Sequence, residues 1–84
     1  MRILVVEDNG ELVGLITKAL ERAGMEVDSV RTAGDGEAAL RTMPYAALVL
    51  DLGLPDADGL TLLDQMRRRR DTTPVLILTA RSGI

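Results

Sequence analysis

Residues 46–51 read Ala46-Ala47-Leu48-Val49-Leu50-Asp51, five apolar residues that end on a carboxylate. A run this short and this evenly apolar, bounded by polar residues, is the pattern of a strand buried on both faces of a parallel sheet. Outward from it, Ile3-Leu4-Val5-Val6 and Val75-Leu76-Ile77-Leu78 repeat the pattern. A fourth segment, Glu26 to Val30, alternates charge with Val27 and Val30 and fits an edge strand with one wet side.

The intervals between these runs carry helical periodicity. Leu12, Leu15, Ile16, Ala19 and Leu20 fall at i, i+3, i+4, i+7 and i+8, which predicts an amphipathic helix closed by Gly24. Gly36, Ala39, Leu40 and Met43 form a shorter stripe that Pro44 ends, and Leu62, Leu63 and Met66 form a third after Asp58 as N-cap. The order is therefore β-α-β-α-β-α-β. Single helices between successive strands imply right-handed crossovers, hence an α/β fold with a parallel sheet and helices on both faces.

The composition removes whole classes of chemistry. With 84 residues the chain holds one domain, and without Cys or His it has no disulfide, thiol nucleophile, Cys/His zinc site or imidazole acid-base. A net charge of -3 lacks the positive excess that neutralises phosphates along a nucleic acid. The one basic run, Arg67 to Arg70, follows the third helical stripe, where cations offset the negative end of a helix dipole. The longest apolar stretch, Tyr45 to Leu50, is far below the ~20 residues of a membrane span, and Ile3 to Val6 meets Glu7 at once and is too short for a signal peptide. No contact with nucleic acid or membrane is expected of this segment, and the expected location is cytoplasmic.

Ligands of an open parallel sheet bind beyond the carboxyl ends of its strands. Here the first strand runs into Glu7 and Asp8, the third into Asp51 and the fourth into Thr79. If the first and third strands are neighbours, three carboxylates crowd one edge with no Lys or Arg adjacent in sequence. Mg²⁺ takes oxygen ligands and keeps several waters, so one or two of these carboxylates with a backbone carbonyl could hold it. Asp51 could then act as a nucleophile towards a phosphoryl group. Asn9 reads better as a helix cap, and Glu7 equally well as a solvated loop acid. Asp51 follows five apolar residues, where an acid is costly to desolvate without a reason.

Other phosphate sites are absent from the sequence. Glu7-Asp8-Asn9-Gly10 is not a G-x-G-x-x-G turn, and no G-x-x-x-x-G-K-[ST] occurs. A haloacid-dehalogenase-type phosphatase needs a second Asp two residues after the first, where Gly53 stands. Asp56-Ala57-Asp58-Gly59 does not keep the register of a calcium loop and reads as a turn.

Three motifs together, I-L-V-V-E-D-N at 3 to 9, L-V-L-D-L-G-L-P-D-A-D-G at 48 to 59 and P-V-L-I-L-T-A-R at 74 to 81, resemble the receiver domain of bacterial two-component response regulators, most closely the OmpR/PhoB type. The resemblance covers the chain and implies a flavodoxin-like (CheY-like) sheet. It implies that Asp51 accepts a phosphoryl group from a sensor histidine kinase, that Asp8, Asp51 and the Gly53 carbonyl hold Mg²⁺, and that Glu7 holds a metal-bound water. It also implies that Thr79 and the Ala80 amide contact the phosphoryl group, with Pro55 and Gly59 shaping the loop between. Receiver domains continue through further helices and a fifth strand, so residues 1–84 are expected to be a truncated receiver domain. The expectation for function is a phosphoacceptor module and not an enzyme, with residual Mg²⁺-dependent self-phosphorylation. The alternative is a phosphorylation-impaired fragment that binds a kinase or a second copy of itself, pairing through the exposed fourth strand or exchanging the segment after Arg70 to Pro74.

Overall fold

The computed structural model of the chain describes residues 1–78. Its elements are β1 (Arg2–Val6), α1 (Gly10–Arg22), β2 (Glu26–Val30), α2 (Ala33–Thr42), β3 (Ala47–Asp51), α3 (Gly59–Arg68) and β4 (Val75–Leu78). The four strands form one sheet in the order β2-β1-β3-β4, and every pair is parallel. The strand order reverses between β1 and β3, where Val6 pairs with Leu50. Glu7 and Asp51 therefore sit side by side at that reversal, the position at which open α/β sheets bind their ligands.

Alternation along the strands divides the core in two. Leu4, Val6, Leu48 and Leu50 turn towards α2 and α3 and pack with Leu62 and Met66, all essentially without solvent contact. Ile3, Val5 and Val49 turn the other way, onto Val13, Ile16 and Leu20 of α1. Helices thus cover both faces, as the apolar strands require.

Two helical expectations change. The apolar stripe of α1 is rotated: Val13, Ile16 and Leu20 meet the sheet, while Leu15 is 68% exposed and Ala19 is exposed. One helix lying on a twisted sheet covers it with a narrow face, and a five-residue stripe is wider than that face. Met43 lies outside α2, in extended backbone, because the residue before Pro44 is kept out of the helical region. The third strand begins at Ala47 and includes Asp51, one residue later at each end than the apolar run.

The helix ends follow the sequence. Asn9, Thr32 and Asp58 accept the amides of Leu12, Asp35 and Leu60 as N-caps. After α1, Gly24 takes a φ of 87°, and the Gly24 and Met25 amides donate to the Glu21 and Leu20 carbonyls. This left-handed cap is open to glycine without strain. After α3 the same pair of bonds forms from Arg70 and Asp71 to Arg67 and Met66, with Arg70 at a φ of 60°.

Candidate functional site

The turn after β1 and the end of β3 bring together Glu7, Asp8 and Asp51, each offering a carboxylate oxygen within 4.8 Å of the others'. Glu7 is 4% and Asp51 7% exposed, whereas Asp8 is open to solvent. The Glu7 amide donates to the Val30 carbonyl at 3.1 Å, and its carboxylate accepts the Asn9 amide at 2.9 Å. Glu7 is thus a fixed, buried acid, not a solvated loop residue. Burial pushes its carboxyl above the ordinary range; the Asn9 amide opposes this, and the charges of Asp51 and Asp8 add to the rise. Desolvation outweighs like-charge repulsion here, although repulsion alone would have given the same direction.

The ion pairs among the described residues leave all three acids out. Crowded carboxylates without a protein cation present an all-oxygen donor set, which suits a hard divalent ion. Around Mg²⁺ at about 2.1 Å, ligand oxygens stand about 3 Å apart when adjacent and about 4.2 Å when opposite, so the observed spacing closes on such an ion with small side-chain movements.

The loop that follows Asp51 is shaped by close backbone contacts. Gly53 bridges antiparallel to Asp58, and the Gly59 amide donates to the Leu52 carbonyl at 2.9 Å. A Cβ on Gly59 would stand 2.6 Å from the Asp51 carbonyl oxygen and 2.9 Å from Leu52 Cα, so α3 begins against the backbone of the acid itself. Gly59 is therefore more than a turn residue. Thr79 and Ala80, expected to touch a phosphoryl group, lie outside the described residues.

One contact had no signal in the sequence. Asp56, expected only to sit in a turn, extends both carboxylate oxygens to the amides of Ala33 and Gly34, at 2.8 and 2.9 Å. These bonds hold its carboxyl below the usual aspartate range. A pairing across 23 residues could be found only by placing the β3–α3 loop next to the start of α2, which periodicity does not do.

Comparison with known proteins places this arrangement. The family model for the response regulator receiver domain matches residues 3–84. The transcriptional regulatory protein BasR of Escherichia coli is 48% identical over all 84 residues, and the chain spans 38% of that relative's length. The non-phosphorylated receiver domain of HemR from Leptospira biflexa superimposes with a TM-score of 0.88 at 34% identity, over 99% of this chain and 67% of that one. The response regulator TrrA of Thermotoga maritima, solved in complex with Mg²⁺ and BeF, gives a TM-score of 0.90 at 27% identity over 96% of this chain and 70% of that one. TrrA has also been solved in complex with the histidine kinase ThkA.

Proposed function

Because the chain belongs to the response regulator receiver domain family, we propose that Asp51 is its phosphoryl acceptor and that Asp8, Asp51 and the Gly53 carbonyl hold Mg²⁺, with Glu7 on a metal-bound water. The observation that carries this reading is the meeting of three carboxylates, two of them buried, that enter none of the ion pairs among the described residues. In the transfer, an Asp51 carboxylate oxygen forms a bond to phosphorus as the bond to the donor's imidazole nitrogen breaks, and that nitrogen keeps the electron pair. When bound, Mg²⁺ supplies charge neutralisation at the transferring oxygens.

The protein's own part is placement. Strand pairing from β3 to both β1 and β4 fixes the Asp51 backbone, and the Asn9 amide fixes Glu7. With its carboxylate at the sheet's reversal point, Asp51 faces a donor that approaches along the strand ends. The partner in this reading is a sensor histidine kinase, and the chain meets it in the cytoplasm. Thr79 and the Ala80 amide are assigned to phosphoryl contact by the resemblance of the P-V-L-I-L-T-A-R segment. The module itself turns over no substrate beyond its own phosphorylation. None of its described helices is long and apolar enough to cross a membrane.

Incubation with Mg²⁺ and a small phosphodonor should add one phosphoryl group, read by mass spectrometry. Asp51→Asn should remove both the label and most of the Mg²⁺ affinity. A label that persists in Asp51→Asn, or equal Mg²⁺ affinity in the two proteins, sinks the assignment.

A further inference from the structure

Asp56 lies three residues beyond Gly53, at the outer bend of the loop, and reaches across to another element. Its two oxygens accept the Ala33 and Gly34 amides, the first two of α2. A helix start leaves four amides without internal partners, and the Thr32 hydroxyl takes a third of them from Asp35. Asp56 also brings negative charge to the positive end of the helix dipole. The anchor it grips is rigid: Gly36 lies so close over the core that a Cβ would stand 3.0 Å from Val6 and 3.2 Å from Leu62. On the inner side the same loop is held by the Gly53–Asp58 bridge and the Gly59–Leu52 bond. Gly53 therefore sits in a loop clamped between α3 and α2.

We propose that Asp56 is a positioning residue for the metal site: by holding the Ala33 and Gly34 amides, it fixes the loop that aims the Gly53 carbonyl at Glu7, Asp8 and Asp51. The inference rests on the reading of Gly53 as a Mg²⁺ ligand. A cap that merely strengthened α2 would change stability alone. A positioning residue changes metal affinity in a chain that remains folded.

The test is Mg²⁺ titration of the 84-residue chain, followed by amide NMR, in two variants that cut the tether from opposite sides. Asp56→Asn keeps the shape and leaves one acceptor oxygen. Ala33→Pro deletes a donor at the first helical position, where proline is favoured, after a Thr32 already extended at φ -130° and ψ 157°. It leaves net charge unchanged, so any loss cannot come from removing a charge near an acidic site. Groups that orient a metal ligand commonly contribute tenfold or more in affinity, so each variant should bind Mg²⁺ about tenfold more weakly. The double variant should bind no more weakly than the worse single one. Unchanged affinity in a folded Ala33→Pro, or losses that multiply in the double variant, overturns the proposal. Should proline at buried Ala33 unfold the chain, Asp35→Asn replaces it as a control that removes a charge from the same helical turn without touching the tether. Equal losses in Asp35→Asn and Asp56→Asn then overturn the proposal, and a loss confined to Asp56→Asn supports it. If the unmodified chain binds no Mg²⁺, the metal reading of Gly53 has failed by itself. The tether is then judged without metal: a Gly53 amide resonance that moves in Asp56→Asn supports it, and one that stays in place refutes it.

Discussion

Asp51 owes its usefulness to what stands behind it. Gly59 is seated on the Asp51 carbonyl, of a residue held by strand pairing, and on the Leu52 Cα, main-chain atoms that cannot swing aside as a side chain would. Gly59→Ala should therefore push α3 from the loop and cost about 1–3 kcal/mol, the usual range for overpacking a tight site. It should also weaken Mg²⁺ binding, because Gly53 moves with the loop. Unchanged melting and metal affinity would show that α3 can shift freely. At this scale the acids were legible because chain order alone placed them at strand ends. The partners that hold them were not: neither the Asn9 amide on Glu7 nor the reach of Asp56 follows from residue type or spacing.

Tyr45 gives a second residue-scale outcome, and as the only aromatic of the chain it reports without interference. Its hydroxyl donates to Asp28 at 2.7 Å, while Arg2 donates to both oxygens of the same carboxylate. Burial first, then the Asp28 bond, pushes the phenol up to about 12. An unfolded tyrosine ionises near pH ~10, so above that the unfolded chain sheds a proton that the folded one keeps. Stability supplied by Tyr45 is present below pH ~10 and is lost as the pH rises to about 12. Tyrosinate absorbance during alkaline titration should show this late ionisation, and Asp28→Asn should bring it partly back. Ionisation at the ordinary value would mean that the bond does not persist in solution.

Among the elements, the strands were the most legible and α1 the least. Apolar runs mark buried parallel strands whatever their neighbours, and all three runs became β1, β3 and β4. A helix face depends on how the helix rolls on the sheet, which its own stripe does not state. Contact with the Ile3, Val5 and Val49 cluster selects Val13, Ile16 and Leu20 and turns Leu15 outward. Ile16→Ala should then cost about 1 kcal/mol or more, since a fully buried isoleucine contributes about 1.5–3 kcal/mol and Ile16 is half-buried. Leu15→Lys should stay within about 0.5 kcal/mol, as exposed substitutions do. Denaturant melts of the two variants decide the matter, and a larger loss in Leu15→Lys would mean that α1 sits on its other face.

For the whole molecule, the order β2-β1-β3-β4 leaves β4 as the outer strand of the described sheet, with Leu76 62% and Ile77 44% exposed. One residue lies on each face, so no single helix of the described chain covers both. An apolar strand with no neighbour on its outer side among the described residues is a template for another strand. Two copies related by a two-fold axis set their β4 strands antiparallel, so each row of free backbone groups meets its own complement. Covering the wet part of two such side chains recovers about 2–3 kcal/mol per copy. Association costs on the order of 4–15 kcal/mol in lost freedom, so side-chain burial alone gives a weak pairing that the new strand bonds must complete. The 84-residue chain should therefore pass from monomer to dimer as its concentration rises, followed by light scattering across a dilution series. Leu76→Lys puts a charge on the most exposed position of the strand and should abolish the dimer while sparing the fold. A chain that stays monomeric at every concentration it tolerates refutes pairing through β4, and so does a dimer that survives Leu76→Lys unchanged.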